Sequence, residues 1–206
     1  MREINIHDED NKCDLGFLFA SPIYSGQVHN FNDIQSEIKS YLKKITFKNT
    51  PKDWGLTHLI SDNTFEGNVI EDLKVLSTEL EIHVKRYCRA IEYYSEYSSI
   101  SSWFTLFKKG HYGQIHCHSG SDISGVYYYK TNGNDGDIFF ESPVAASHMS
   151  NLYRPKRYSP KLVEGKLLLF PSWLHHGIMT NETNNDRISL SFNLKFSEQN
   201  KIIDKN

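Results

Sequence analysis

Residues 113–130, GQIHCHSGSDISGVYYYK, contain two short runs of β-branched, aromatic and imidazole side chains joined by a turn-forming SGSD segment. Such runs predict strands at 113–118 and 123–130. Because successive side chains of a strand point to opposite faces, His116 and His118 are expected on the same face. Two imidazoles on one face can share one metal ion, but such a pair also occurs by chance in a chain with ten histidines, so by itself it is a weak signal.

The rest of the second half of the chain has the same pattern of short strand-forming runs. From Ser99 onward, β-branched and aromatic runs alternate with Gly, Asn, Asp and Pro, and TNGNDG at 131–136 reads as a turn. Many short strands at close spacing indicate a sandwich, a jelly roll or a barrel. Further strands are expected at 100–107, 137–141, 166–170, 174–179 and 187–196.

Two helices are predicted before this region. Apolar residues recur at spacings of three and four from Phe31 to Ile45, and again from Val69 to Tyr94, which is the period of an amphipathic helix. An extended segment, GFLFASPIYSG, precedes the first helix. We therefore expect an α+β fold that is mainly β, with two N-terminal helices packed on one sheet.

The length of 206 residues suits a single domain, 1–206. Within it we expect a helical support region at about 15–98 and a β core at about 99–196. The polar ends, 1–14 and 197–206, are expected to be frayed.

Composition excludes several function classes. The chain has 23 Lys and Arg against 25 Asp and Glu, a formal net charge of −2, so no nucleic-acid partner is expected. It has no long apolar run and no signal-peptide pattern at its start, which predicts no membrane association. Its three cysteines form no C-x-x-C pair. A cytoplasmic protein fits these features.

A third metal ligand must come from elsewhere in the fold. The segment LLLFPSWLHHGIM contains His175 and His176, and a strand there can direct only one of the two toward the site. Farther on, DRISLSFN puts Arg187 and Ser189 on one strand face. That face either lines a polar cavity or lies in solvent on a one-sided sheet, and the alternation fits both.

Taken together and in this order, these motifs resemble the Fe(II)- and 2-oxoglutarate-dependent oxygenase superfamily, in particular a family of oxygenases related to the prolyl hydroxylases. The resemblance covers about 17–196. The matching segments are FASPIY, SSWFTLFKKGHYGQIHCHSGSDISGVYYYK, GDIFFESP, GKLLLFPSWLHHGI and DRISLSFN.

The resemblance implies a double-stranded β-helix, a form of jelly roll, with iron at one mouth. It implies that His116, His118 and His176 bind the metal. It further implies that Arg187 pairs with a carboxylate of 2-oxoglutarate, with Ser189 and Tyr128 as additional contacts. The implied cofactors are Fe(II), 2-oxoglutarate and O2, and the implied reaction is hydroxylation of an unactivated C–H bond with release of succinate and CO2.

One position departs from the superfamily pattern, because His118 stands where a carboxylate is usual. Three neutral imidazoles leave the ferrous site one unit more positive than the usual ligand set. Asp122, four residues later, is the alternative carboxylate, either as a ligand or as an acceptor from an imidazole N–H.

A long connection at 142–160 is expected to be either a lid or a solvated insertion. It carries Arg154 and Arg157, which as lid residues would favour an acidic substrate.

Two other functions stay open at this point. One is a cupin-like enzyme with three histidines that does not use 2-oxoglutarate, and the other is a metal-free jelly-roll binding module. The sequence indicates a small-molecule or peptidyl substrate without identifying it, and it leaves the oligomeric state open.

Overall fold

Antiparallel strands make up most of the fold. The computed structural model describes residues 2–8, 11–17, 20–55, 57–63, 68–93, 96–144, 149 and 157–197. Its strands are β1 (Arg2–Asp8), β2 (Asn11–Phe17), β3 (Tyr24–Gln27), β4 (Phe47–Asn49), β5 (Leu59–Ser61), β6 (Tyr97–Phe107), β7 (Gly113–His116), β8 (Ile123–Lys130), β9 (Ile138–Glu141), β10 (Arg157–Tyr158), β11 (Lys166–Pro171), β12 (His176–Ile178) and β13 (Arg187–Phe196). The helices are α1 (Phe31–Leu42) and α2 (Lys74–Ala90), with short 3-10 helices at Lys52–Trp54 and Val69–Asp72.

The strands wind between two sheets. The larger sheet has the order β3-β11-β8-β13-β6-β5-β4, and the smaller sheet has the order β10-β9-β12-β7. From β6 to β9 successive strands alternate between the larger and the smaller sheet, and β11 to β13 repeat this alternation. Such winding is that of a double-stranded β-helix. The predicted α+β, mainly β jelly roll is therefore confirmed.

Residues 113–130, and the last strand of the sheet, fold nearly as their sequence predicts. Strands β8 and β13 have the predicted limits of 123–130 and 187–196. Strand β7 ends at His116 instead of continuing to 118. The chain leaves the sheet there because the backbone N–H of His118 donates to the carbonyl of Ser172, at 2.9 Å, just after β11.

Both helices contribute buried residues to the same apolar cluster as the larger sheet. Ile34 and Ile38 of α1 are fully buried, as is Leu76 of α2, and these side chains belong to one cluster with Tyr127 and Leu190. The predicted second helix starts later than its apolar period, because Leu73 has a non-helical backbone, φ −110° and ψ 78°. No helix in the described ranges has the length and apolarity needed to cross a membrane.

The N-terminal end differs from the expectation of a frayed segment at 1–14. Strands β1 and β2 form an antiparallel hairpin, with Ile4 opposite Leu15 and Ile6 opposite Cys13. Apolar residues alternate along both segments, and this period of two favours strand pairing. Of the other predicted end, 197–206, only Ser197 lies within the described residues.

A glycine allows the two central strands of the larger sheet to pack. Gly125 of β8 lies opposite Phe192 of β13, and a Cβ at position 125 would lie 2.2 Å from Cζ of the Phe192 ring. Gly125→Ala should therefore lower the free energy of unfolding by about 1–3 kcal/mol, as measured by urea denaturation.

Phe192→Leu removes the ring that the new methyl group would meet. In the double variant, part of the loss caused by Gly125→Ala should disappear. If the two losses in the free energy of unfolding were strictly additive, the Phe192 ring would not be what limits side-chain size at position 125.

Candidate metal centre

Three imidazoles meet at the edge of the smaller sheet. His116 ends β7 and His176 begins β12, and the two residues lie opposite each other in the antiparallel ladder. His118 follows two residues after β7. The ring centroids are 4.4 Å apart for His116 and His176, 4.9 Å for His116 and His118, and 5.2 Å for His118 and His176. One ring nitrogen from each lies within 4.8 Å of the others, so the three rings could hold one metal ion.

Hydrogen bonds fix the orientation of two of these rings. Nδ1 of His116 donates to the carbonyl of Gln114 at 2.8 Å, and Nδ1 of His176 donates to the carbonyl of Leu174 at 2.9 Å. Since a carbonyl only accepts, the proton of each neutral ring lies on Nδ1. Nε2 then keeps its lone pair for a metal, as in most histidine-ligated sites.

Burial keeps two of the rings uncharged. Burial, with the neighbouring His116 next in effect, lowers the pKa of His118 to about 4 and that of His176 to about 3. A neutral imidazole is the form that binds metal. His175 is exposed whereas His176 is buried, so the strand directs only the second of the two adjacent histidines into the cluster.

The three rings line a cavity of about 470 Å³. Residues from both sheets contribute to its wall, including the aromatic rings of Trp103, Phe107 and Phe170. The described residues of the wall include several with hydroxyl or amide side chains, and no lysine, arginine, aspartate or glutamate is among them.

Arg187 lies beside this cavity and is completely buried. Its Cζ lies 4.2 Å from the ring centroid of Phe107 and 5.9 Å from that of Tyr128, and both rings line the cavity. Nη1 donates to the carbonyl of Gly136, whereas Nε and Nη2 have no hydrogen-bond partner. Burial lowers the pKa of Arg187, and nearby Asp135 and Asp137 oppose that effect. Two buried N–H groups without acceptors are costly, and a carboxylate would satisfy them.

Ser189 and Tyr128 also line the cavity. The Ser189 hydroxyl shares a 2.8 Å hydrogen bond with the hydroxyl of Thr105. Tyr128 is 1% exposed, and burial raises its pKa, so its hydroxyl stays protonated and able to donate. The next residue back, Tyr127, packs in the cluster on the helix side, as strand alternation predicts.

Asp122 does not join the three imidazoles. Its carboxylate accepts the backbone N–H of Phe196 at 2.8 Å and lies 3.7 Å from Nζ of Lys195. The described metal-binding cluster at this mouth comprises histidines alone. The local role of Asp122 is to tie the start of β8 to the end of β13.

The predicted lid is only partly described. Arg154 lies outside the described residues, as does most of the connection at 142–160. Arg157 is in β10, where its Nε and Nη2 donate to Oε1 of Glu141 at 2.9 and 2.7 Å. Its Cζ also lies 4.4 Å from the ring centroid of Phe139. Arg157 is thus engaged with a carboxylate and is not among the residues that line the cavity.

Sequence reasoning missed His58 as a residue of the cavity. Its ring stacks on Phe107 at 4.5 Å between centroids, and burial, with Arg187 next in effect, lowers its pKa to about 4. The pairing of β5 with β6 brings it there. The sequence around position 58 contains no motif that signals this contact, because the partner residue is 49 positions away along the chain.

Comparisons with known proteins match part of the chain to one family. Residues 101–193 match the model of the family described as "Putative 2OG-Fe(II) oxygenase". Among curated protein sequences, none matches the chain.

Solved structures share the fold at low sequence identity. A prolyl-4-hydroxylase from Pseudomonas putida is 10% identical with a TM-score of 0.57, over 86% of this chain and 95% of that one. A prolyl hydroxylase from Trichoplax adhaerens, solved with a peptide of hypoxia inducible factor, is 12% identical with a TM-score of 0.58, over 83% of each chain. The α-ketoglutarate-dependent epimerase SnoN from nogalamycin biosynthesis is 13% identical with a TM-score of 0.59, over 84% of this chain and 77% of that one.

The sequence match over residues 101–193 supports the resemblance of the β core to the Fe(II)- and 2-oxoglutarate-dependent oxygenases, and the solved structures show that the fold is shared with the prolyl hydroxylases. The superfamily implies Fe(II), 2-oxoglutarate and O2 as cofactors. The described residues fit them: three imidazoles suit iron, and a buried guanidinium with unpaired N–H groups suits a carboxylate.

The depressed pKa values of the cavity histidines predict a pH-dependent stability for the metal-free protein. His58, His118 and His176 have folded pKa values near 4, 4 and 3, below the ordinary value of about 6.5 for an unfolded chain. Below pH 6.5 the unfolded state binds more protons, so stability should fall as the pH drops from about 6.5 to 4. The slope should be at most about 1.4 kcal/mol per pH unit for each ring, and less where solvent reaches the ring.

Thermal unfolding in the presence of a chelator between pH 7 and 4.5 measures this slope. His58→Phe keeps an aromatic ring against Phe107 but does not titrate, so its slope should be shallower than that of the native chain. His175→Ala removes an exposed imidazole and should leave the slope unchanged. An equal slope in the native chain and in His58→Phe would contradict the assigned burial of His58.

Proposed function

We propose that this chain is a cytoplasmic Fe(II)- and 2-oxoglutarate-dependent dioxygenase that hydroxylates an unactivated C–H bond. His116, His118 and His176 hold the iron, and Arg187, Ser189 and Tyr128 hold 2-oxoglutarate. The observation that carries the proposal is the buried guanidinium of Arg187, which keeps two N–H groups without acceptors next to a cavity lined by three imidazoles.

Arg187 selects and orients the cosubstrate. Its guanidinium is fixed by the carbonyl of Gly136 and by the ring of Phe107, so it can offer Nε and Nη2 as a rigid pair of donors. A carboxylate accepts two parallel hydrogen bonds from such a pair. Because the group is buried, an incoming carboxylate also compensates a buried charge, which favours an anionic ligand over a neutral one.

Tyr128 and Ser189 complete this carboxylate site. The raised pKa of Tyr128 keeps its hydroxyl a donor at every working pH. The Ser189 hydroxyl can donate to the ligand while it accepts from Thr105. Both hydroxyls lie on strands of the larger sheet, so a rigid scaffold holds them.

When bound together, Fe(II) and 2-oxoglutarate reduce dioxygen with release of succinate and CO2 and supply the oxidising power for C–H hydroxylation. The chain itself binds, orients and shields. Its three imidazoles are neutral donors, whereas the usual ligand set of the superfamily includes a carboxylate. The greater positive charge of the resulting site favours a dianionic cosubstrate.

The cavity wall indicates the class of substrate. Its described residues carry aromatic, hydroxyl and amide groups and no acidic or basic side chain apart from the imidazoles, so the part of the substrate that enters is uncharged. The pairing of Arg157 with Glu141 removes one reason for expecting an acidic substrate. A peptidyl residue, an amino acid side chain or a small metabolite meets this condition.

Anaerobic titration tests the reaction class. Addition of Fe(II) and then 2-oxoglutarate to the metal-free chain should produce a visible metal-to-ligand charge-transfer band that needs both additions. His176→Ala should lower iron affinity by about 100-fold or more, since even the loss of outer partners costs 10–100-fold. His175→Ala should keep the band.

Two results would contradict the proposal. Iron binding without any response to 2-oxoglutarate would favour a cupin-like three-histidine enzyme. Absence of iron binding would favour a metal-free binding module.

Arg187→Lys tests the carboxylate site. A lysine keeps a cation but loses the paired donors, so the concentration of 2-oxoglutarate that half-saturates the band should rise by about tenfold or more. Arg157→Lys makes the same chemical change at an arginine outside the cavity and should leave this concentration unchanged. An equal half-saturating concentration in the two variants would show that Arg187 does not bind 2-oxoglutarate.

A further inference from the structure

A second group of metal-ligating side chains lies on the helix side of the larger sheet. His29 lies two residues before α1, and Glu79 and His83 are one turn apart on α2. One ligand atom from each lies within 4.8 Å of the others. None of the three lines the cavity of the first centre.

Glu79 is a buried carboxylate. It is 3% exposed. Its Oε2 accepts the backbone N–H of His29 at 3.0 Å, and its Oε1 accepts from Nδ2 of Asn30 at 3.2 Å. Both donors are neutral, and a buried negative charge is stable only when a positive charge or a metal accompanies it.

His83 does not supply that positive charge. It is 1% exposed, and burial lowers its pKa although Glu79 opposes this effect. Nδ1 shares a 2.7 Å hydrogen bond with the hydroxyl of Tyr24, whereas Nε2 has no hydrogen-bond partner and lies 3.7 Å from Oε2 of Glu79. That distance is too long for a hydrogen bond. A buried ring nitrogen without a hydrogen-bond partner therefore faces a carboxylate oxygen across a short gap.

The spacing of the ligand atoms suits a small divalent ion. Nδ1 of His29 lies 3.5 Å from Oε2 of Glu79, and Nε2 of His83 lies 3.7 Å from the same oxygen. Nitrogen and oxygen ligands bound tetrahedrally to zinc at about 2.0–2.2 Å are roughly 3.3–3.5 Å apart. Small side-chain adjustments would bring both nitrogens to those distances from Oε2.

We propose that His29, Glu79 and His83 form a second metal site, which binds zinc or a similar late divalent transition metal. Three protein ligands leave a fourth position, which solvent fills because the His29 side chain is 63% exposed. The ion ties the segment that leads into α1 to the middle of α2. It thereby stabilises the helical layer and takes no part in the oxygenase reaction.

Zinc binding to the full chain tests this site. His116→Ala with His176→Ala removes the first centre, and isothermal titration of this metal-free double variant with zinc sulfate should give about one ion per chain. At a hundredfold excess over the dissociation constant, zinc should raise the midpoint of thermal unfolding by about 5 °C. Adding His29→Ala, a change at an exposed side chain, should weaken binding by about tenfold or more.

Glu81→Gln is the matched control, since it removes a carboxylate from the same helix where the side chain is half exposed and paired with Lys85. It should leave zinc affinity unchanged, whereas Glu79→Gln should weaken it. If the double variant fails to fold, zinc content measured on the otherwise native chain serves instead, and His29→Ala should lower it from about two ions to about one.

Three results would overturn the proposal. These are no zinc binding by the double variant at concentrations up to about 100 μM, unchanged binding in His29→Ala, or an equal loss in Glu81→Gln. None of these results bears on iron and 2-oxoglutarate at the first centre, so the two proposals fail independently.

Discussion

The pairing of β7 with β12 is the constraint on which the site depends. It sets His116 opposite His176 across an antiparallel ladder, where directly opposed side chains lie close together on one face. Strand β12 is held on its other side by β9, so its position does not depend on the metal. The ring of His118 reaches the other two because the chain leaves the sheet after His116. The hydrogen bond from the backbone N–H of His118 to the carbonyl of Ser172 fixes this part of the chain. The fold therefore preassembles the ligands before any ion arrives.

Local sequence signals are sufficient to predict a strand when one of its faces is polar and the other is apolar. Strand β13 was predicted with its limits and with Arg187 and Ser189 on one face, because Ile188, Leu190 and Phe192 alternate with them. The structure shows the same alternation at Tyr128, which lines the cavity, and Tyr127, which packs with the helices. The choice of His176 over His175 came from the resemblance to a known superfamily, since alternation alone allows either.

Contacts between distant parts of the chain could not be predicted in this way. His58 reaches Phe107 only because β5 pairs with β6, and Arg157 reaches Glu141 only because β10 pairs with β9. His29 meets Glu79 across 50 positions of sequence. A period of two or 3.6 tells which face a side chain occupies, but it does not tell which other segment covers that face. The partners of polar side chains, and hence their charge states, follow only from the tertiary structure.

A buried charged group lies on each side of the larger sheet, Arg187 on strand β13 and Glu79 on helix α2, and the two groups differ in sign. On the cavity face, Arg187 is a buried cation with two N–H groups that lack acceptors. On the helix face, Glu79 is a buried carboxylate whose hydrogen-bond donors are neutral. Burial of either charge opposes folding unless an opposite charge accompanies it. A ligand that binds only the folded chain adds its binding free energy to stability. An anionic cosubstrate would therefore compensate the charge of Arg187, and a divalent cation would compensate the charge of Glu79. The apolar clusters around these groups cannot do so, and both ligands would stabilise the folded chain.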